Sequence, residues 1–197
     1  MKVIGIVGGV ASGKSLVTEC LATAGAAILN ADHVGHEVLR EPAVIAALVE
    51  RWGTAILDSA GQIDRVAVAR IVFRPGNDAE KRFLESHSHP RIAERLRQQL
   101  DAWRNSGTFE FAVLDAAIML ETGWADVCDE IWFVDTPLQL RQQRAASRGW
   151  SPEQWQAREA AQWPVEQKRR AAHRIINNSG SPEETCRQVK QLLREAA

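Results

Sequence analysis

The stretch that most constrains this chain is the glycine-rich segment Gly8–Ser15, which lies between an apolar run and a segment of helical spacing. It matches G-x-x-x-x-G-K-[ST] in the order strand, loop, helix that this pattern requires. Glycines let several backbone N–H groups converge on one phosphate, and the following helix adds its positive end. Lys14 can place its charge on the outer phosphates, and the Ser15 hydroxyl can bind a phosphate-bound Mg²⁺. A glycine turn that binds nothing would leave both side chains unexplained. The predicted ATP site comprises Gly9, Val10, Ala11, Ser12, Gly13, Lys14, Ser15 and Leu16.

Composition limits the remaining classes of function. The chain has 197 residues, 45% of them hydrophobic and 25% charged, which predicts one globular domain with small insertions. A formal net charge of −1 gives no general attraction to nucleic acid or acidic membranes, so we expect neither as a partner. We expect no signal peptide, and no apolar run approaches the ~20 residues that span a bilayer. Three widely spaced cysteines, Cys20, Cys128 and Cys186, are expected to be reduced thiols in a cytoplasmic protein.

The first half of the chain predicts a parallel sheet with a helical insertion. A strand over Lys2–Val7, a helix after the loop and a second short strand ending at Asn30 imply that ligands bind at the strands' carboxyl ends. Asp32 is therefore expected beside Lys14 as a catalytic residue; the alternative, a helix N-cap, is compatible with catalysis. Residues 33–88 read as helices interrupted by the breaker Pro75-Gly76-Asn77. This insertion is interpreted as a substrate-binding cap, or alternatively as a purely stabilising addition.

The second half predicts three more strands and a group of cationic helices. Pro90 is expected to open a long helix, with His89 as a turn residue facing the substrate cleft. Asp115 ends a buried strand and could hold Mg²⁺ or its waters; the alternative is a turn or cap aspartate. Helix starts with capping hydroxyls are predicted at Thr136, Ser151 and Ser181. The intervening helices carry cations that suit a mobile lid closing on ATP: Arg141, Arg144, Arg148, Arg158, Lys168, Arg169 and Arg170.

Taken together, these motifs resemble the dephospho-coenzyme A kinase family. The matching pieces span nearly the whole chain in the family's order: Ile4–Ser15, Ala31-Asp32, His89-Pro90-Arg91-Ile92, Leu120-Glu121, Arg158 with Gln162 and Lys168, and Ile175–Ser181. The resemblance implies an α/β P-loop fold with a nucleoside-monophosphate-kinase-like core, a five-stranded parallel sheet, a helical substrate-binding insertion and a helical lid. It implies a nucleotide-binding core of residues 1–32, 89–136 and 174–197, an insertion of residues 33–88 that binds the coenzyme A precursor, and a lid of residues 137–173.

The resemblance also implies a reaction and a set of residues. The reaction is ATP-dependent phosphorylation of the ribose 3′-hydroxyl of dephospho-CoA, the last step of coenzyme A synthesis, with Mg²⁺ as cofactor. Asp32 and Lys14 would be catalytic together with the lid arginines Arg144 and Arg148, and Asn178 would lie near adenine. The expected substrate-binding residues are Asp32, His89, Arg91, Leu120 and Glu121. The expected metal residue is Ser15, with Asp115 acting through water.

Three positions depart from the family pattern. Asn30 stands where the family commonly has an aspartate, which leaves Asp32 as the expected acid. Leu16 replaces a usual threonine, and His173 replaces a common aspartate. The alternatives left open are another small-molecule or nucleoside monophosphate kinase, and a nucleotide-dependent binding module. A monomer is expected, with a small homo-oligomer as the alternative.

Overall fold

The computed structural model describes residues 1–74 and 76–196, so Pro75 of the predicted breaker lies outside the described residues. The chain divides into two compact units. The first consists of Met1–Asn30 and Leu100–Ala197, and the second is Ala31–Gln99. Among the described residues, every helix is too short or too polar to cross a lipid bilayer.

The first unit contains a sheet whose described strands all run parallel. The strands are β1 (Lys2–Gly8), β2 (Ala27–Asn30), β3 (Phe111–Asp115), β4 (Glu130–Asp135) and β5 (Arg174–Asn177). Their spatial order is β2-β3-β1-β4-β5, which confirms the predicted five-stranded parallel sheet. The central strands β1, β3 and β4 are almost continuously buried, as expected for a parallel sheet covered on both faces. The predicted strand over Lys2–Val7 is one residue shorter than β1.

Helices cover the sheet and define its core. They are α1 (Lys14–Thr23), α6 (Leu138–Ser147), α7 (Pro152–Ala160), α8 (Val165–Arg170) and α9 (Pro182–Ala196), with a short 3₁₀ turn at Trp124–Val127. α1 and α9 contribute buried side chains to the same cluster as Trp132 and Ile4. In that cluster Cys20 and Cys186 form a disulfide, with their Cα atoms 5.3 Å apart. The expectation of three reduced thiols is therefore wrong, because residues far apart in sequence meet where the two helices pack.

The second unit is helical. It contains α2 (Ala31–Val38), α3 (Pro42–Trp52), α4 (Arg65–Val72) and the first part of α5 (Asp78–Ser106), with a 3₁₀ turn at Thr54–Ile56. Asp64 caps α4 by accepting hydrogen bonds from two first-turn amides. The predicted division of the chain into core, insertion and lid stays a prediction about the roles of these segments.

One long helix replaces two predicted ones. α5 runs from Asp78 to Ser106 with Pro90 inside it, so the expectation that His89 is a turn residue is wrong. Proline removes one helical hydrogen bond. Side chains bond to carbonyls of the preceding turns, with the Ser88 hydroxyl donating to Leu84 O at 2.8 Å. The buried Ile92 and Leu96 anchor the helix beyond the proline.

The predicted helix starts are partly confirmed. Ser151 forms a capping box with Gln154, and Ser181 exchanges the same two bonds with Glu184. Thr136 does not cap α6, whose N-cap is Pro137; its hydroxyl is engaged elsewhere, as described below. The alternative role of Asp32 as a helix N-cap is also wrong, because α2 already begins at Ala31.

Candidate functional site

The glycine-rich loop joins β1 to α1 and has the conformation of an anion cradle. Ala11 and Gly13 both adopt positive φ, at 62° and 92°, and the Ser12 amide donates to Gly9 O at 3.1 Å. Alternation of this kind turns successive N–H groups toward one side. Gly13 has no side chain with which to cap α1, so an anion can take that place at the helix N-terminus.

Three side chains from distant elements hold the loop through a single carbonyl. The Ser12 carbonyl accepts hydrogen bonds from Thr136 Oγ1 at 2.7 Å, Arg144 Nη1 at 3.1 Å and Asn178 Nδ2 at 2.7 Å. Ser12, Thr136 and Asn178 are buried, so these bonds are shielded from water. This anchoring fixes the loop from the side of β4 and β5. Sequence reasoning gave Thr136 only a capping role and missed its contact with the phosphate loop, although Thr136 directly follows β4.

Asn178 is held on both sides of its amide. Besides donating to Ser12, its Oδ1 accepts a hydrogen bond from the Thr185 hydroxyl at 2.9 Å. Arg144 donates to the Asn178 carbonyl at 2.9 Å, so the same arginine bonds to both loops. A methyl group at Gly13 would collide with Asn178 Nδ2. These contacts make Asn178 a support of the phosphate loop, and its predicted place near adenine stays a prediction.

Charged groups converge around Lys14. Burial, followed by the charge of Lys168, lowers the pKa of Lys14 from 10.5 to about 8, and Arg148 acts in the same direction. The carboxylates of Asp115 and Glu159 oppose this shift. The site therefore collects cations in a partly desolvated place, where an incoming polyanion would be strongly stabilised.

Both predicted lid arginines belong to this cationic group. Burial and the neighbouring charge of Arg148 lower the pKa of Arg144, which is half-buried on α6. Arg148 is exposed at the end of α6, with its guanidinium 5.8 Å from the ring centre of Trp150. Arg158 lies over the same ring at 4.4 Å.

The metal expectation rests on two oxygen-bearing residues. Ser15 lies exposed in the first turn of α1, and Asp115 ends β3, in register with Ile6 of β1. Hydroxyl and carboxylate oxygens are the donors that Mg²⁺ prefers. Within the described residues, no three or more His, Cys, Asp or Glu side chains form a metal-binding group.

Glu121 contacts two residues of the predicted lid, Trp163 and Lys168. Its Oε1 accepts a hydrogen bond from the Trp163 amide at 2.6 Å and lies 3.4 Å from Lys168 Nζ. Lys168 is buried and also donates to Gln162 Oε1 at 2.7 Å; burial lowers its pKa, against the raising effect of Glu121. Among the described residues, Glu121 Oε2 is buried without a hydrogen-bond partner. The neighbouring Leu120 is half-buried.

The remaining predicted site residues belong to the second unit. Asp32 is exposed in the first turn of α2, where its charge raises the pKa of His36 against the larger effect of burial. His89 is half-buried on α5, and burial lowers its pKa. Arg91 pairs with Glu41, with Nε and Oε2 3.2 Å apart. That these residues form one site together with Lys14 stays a prediction.

The comparisons with known proteins decide the family. The family model described as dephospho-CoA kinase matches residues 2–184. The chain belongs to the dephospho-CoA kinase family. A dephospho-CoA kinase of Symbiobacterium thermophilum is 36% identical over 198 residues, which is 100% of this chain and 82% of that protein. One from Synechococcus sp. (strain CC9605) is 38% identical over 195 residues, 97% of this chain and 91% of the relative.

Solved structures share the fold of this chain. TT1252 from Thermus thermophilus is 31% identical with a TM-score of 0.81, covering 100% of this chain and 98% of its own. A dephospho-CoA kinase from Campylobacter jejuni, 23% identical, shares the fold with a TM-score of 0.68 over 98% of this chain and 96% of its own. The predicted family, the P-loop kinase fold and the prediction of an ATP-dependent kinase are confirmed.

Proposed function

We propose that the protein transfers the terminal phosphoryl group of ATP to the ribose 3′-hydroxyl of dephospho-CoA, giving coenzyme A and ADP. The observation that carries this proposal is the match of residues 2–184 to the dephospho-CoA kinase family. It is supported by a phosphate loop that is anchored at Ser12 and surrounded by cations.

Charge stabilisation comes from Lys14, Arg144 and Arg148. Phosphoryl transfer is accelerated chiefly by positioning and by charges aimed at the transferring group, with little covalent work by the protein. Lys14 neutralises the outer phosphates, and the loop amides together with the N-terminus of α1 hold their oxygens. Arg144 already bonds to the loop at Ser12 O, so its charge is fixed beside the phosphates without further ordering.

The metal proposed for this site is Mg²⁺, held by the Ser15 hydroxyl, with Asp115 bonding to its waters. When bound with ATP, it supplies charge neutralisation at the outer phosphates. The Asp115 carboxylate raises the pKa of Lys14, which supports a position for this carboxylate near the phosphates.

The residues proposed to bind the acceptor are those that the family resemblance implies. Asp32 orients the 3′-hydroxyl and accepts its proton, while His89, Arg91, Leu120 and Glu121 contact the remainder of dephospho-CoA. We place the protein in the cytoplasm, as a monomer without nucleic-acid or membrane partners. The near-neutral charge of the chain supports this choice of partners.

The test is coupled ADP release from MgATP with dephospho-CoA, AMP or adenosine as acceptor. The expected result is ADP formation that depends on dephospho-CoA, with a product phosphorylated at the 3′ position. Transfer to AMP or adenosine alone would refute the substrate, and tight ATP binding without any acceptor-dependent ADP would refute the kinase reaction.

Asp32→Asn and Lys14→Ala are expected to lose turnover by at least about a hundredfold, the usual scale for removing one acid–base or charge-stabilising group. Near-normal turnover in Asp32→Asn would rule out its role.

A further inference from the structure

A carboxylate from α7 occupies part of the phosphate loop. Glu159 Oε2 accepts a hydrogen bond from the Val10 amide at 2.9 Å, and Glu159 Oε1 lies 2.5 Å from Arg141 Nη1. Arg141 also reaches Val10 O at 3.5 Å. A loop amide and a guanidinium thus hold one anion between them. This is the combination of donors that binds a phosphate oxygen.

Arg141 of α6 packs directly against the phosphate loop. It is only 6% exposed, and within the described residues its buried Nε has no hydrogen-bond partner. A methyl group at Gly9 would collide with its guanidinium. A buried cation with an unsatisfied donor, pressed against the phosphate loop, has capacity for one more acceptor.

Apolar contacts seat α7 on the same loop. Trp155, one turn before Glu159, belongs to a buried cluster with Val10, Ala11 and Ala145. Residues four apart share a helix face, so Trp155 and Glu159 approach the loop together. The placement of the carboxylate is therefore linked to the position of the whole helix.

We propose that the Glu159 carboxylate occupies the position of a phosphate group in the phosphate loop. The terminal phosphate of ATP then displaces this carboxylate from the Val10 amide and from Arg141. Arg141 then becomes a phosphate contact, and the departure of Glu159 loosens α7 from the loop. The proposal rests on the proposed function, because it assigns a further contact to the ATP site.

Like-charge repulsion is the physical reason for the exchange. Glu159 acts electrostatically on both Lys14 and Lys168, so it lies within the field of the cations that would receive the triphosphate. A carboxylate and a phosphate beside the same amide repel each other in a partly desolvated place. Arg141 keeps an anionic partner throughout, so its charge is never left buried and unpaired.

The test compares the Kd of MgATP and of inorganic tripolyphosphate for the wild type and Glu159→Gln by titration calorimetry. The amide of glutamine carries no charge to repel the phosphates, so Glu159→Gln is expected to bind both ligands roughly tenfold more tightly, the scale of one charge-assisted hydrogen bond. Glu166→Gln removes the same charge from an exposed position on α8 and is expected to leave both Kd values unchanged.

A double variant tests the phosphate contact of Arg141. Arg141→Gln alone would leave Glu159 without its cation and could unfold, so Arg141→Gln is combined with Glu159→Gln. This pair is expected to bind MgATP roughly tenfold more weakly than Glu159→Gln alone. Equal Kd values for these two proteins would overturn the assignment of Arg141.

Two further results would overturn the exchange. Unchanged Kd values in Glu159→Gln would show that the carboxylate does not compete with phosphate. Weaker binding together with a lower kcat would make Glu159 a clasp that positions the loop during catalysis. If the wild type bound tripolyphosphate but not MgATP, the proposed function would fail, while the tripolyphosphate ratio would still decide the exchange.

Discussion

Removing the disulfide between α1 and α9 is expected to cost this protein a large share of its stability. The bond joins Cys20 to Cys186, which are 166 positions apart in the chain. A cross-link of this span restricts the unfolded chain far more than the folded one, in which the two helices already pack against each other.

The magnitude follows from the length of the closed loop. For two cysteines 166 positions apart, the chain-entropy relation gives about 17 cal/mol/K, or about 5 kcal/mol at 25 °C. Measured effects are more often about 2–4 kcal/mol, so the expected loss in the free energy of unfolding is about 2–5 kcal/mol. At about 2–4 °C per kcal/mol for a chain of this size, Tm should fall by roughly 4–20 °C.

The assay is denaturant unfolding of the oxidised protein, of the same protein in dithiothreitol, and of Cys186→Ser. The reduced protein and Cys186→Ser should both have a lower free energy of unfolding than the oxidised protein, by the same amount. Cys128→Ser is the matched control, because Cys128 is a free thiol whose pKa burial raises to about 12. It should retain the full effect of the reductant, and thiol titration of the oxidised wild type after unfolding in denaturant should find one thiol per chain.

Two results would refute this reasoning. An oxidised wild type with the same unfolding midpoint as Cys186→Ser would mean that the cross-link does not restrict the unfolded chain as argued. Three titratable thiols in protein prepared without reductant would mean that the bond does not form.

Two other predictions concern the phosphate loop. The pKa of Lys14 is about 8 in the folded protein and 10.5 in the unfolded chain, so the unfolded chain binds more protons between these values. Relative to Lys14→Met, the wild type should therefore gain free energy of unfolding between about pH 8 and pH 10.5, and an equal pH dependence in the two proteins would contradict this. Asn178→Ala removes one of the three donors to the Ser12 carbonyl and one acceptor of the Thr185 hydroxyl, so it should lower the free energy of unfolding by about 1–3 kcal/mol and raise the Kd of ATP. Thr136→Val also removes one donor from this carbonyl but takes no acceptor from a neighbouring hydroxyl, so its effects in denaturant unfolding and ATP titration should be smaller, and a larger effect would overturn the ranking.

Local rules were enough for much of the fold. The loop over Gly8–Ser15 predicted the strand before it and the helix after it, because the motif has that meaning only between these two elements. Capping at Ser151 and Ser181 was also predictable, because the hydrogen bonds involved join residues only three positions apart. The same rule failed at Thr136, whose hydroxyl found a tertiary partner instead.

Errors came where packing overrode a local preference. Proline usually opens a helix, yet α5 continues through Pro90, because the buried Ile92, Leu96 and Leu100 hold the half after the proline in place. Cys20 and Cys186 gave no sign of pairing, since their separation in sequence carries no information about the contact between α1 and α9.

From its sequence alone, this protein is determined to be a P-loop kinase of the dephospho-CoA kinase family, with Lys14 and Ser15 at the phosphate loop. The phosphate loop is a short-range pattern that one stretch of chain carries by itself, whereas the family depends on matching segments that span nearly the whole chain. Only the tertiary structure decided that Ser12 is held by three distant side chains and that Glu159 takes the Val10 amide. Those contacts join residues more than a hundred positions apart. They exist because the parallel strands bring their carboxyl ends to one edge of the sheet, which no local pattern records.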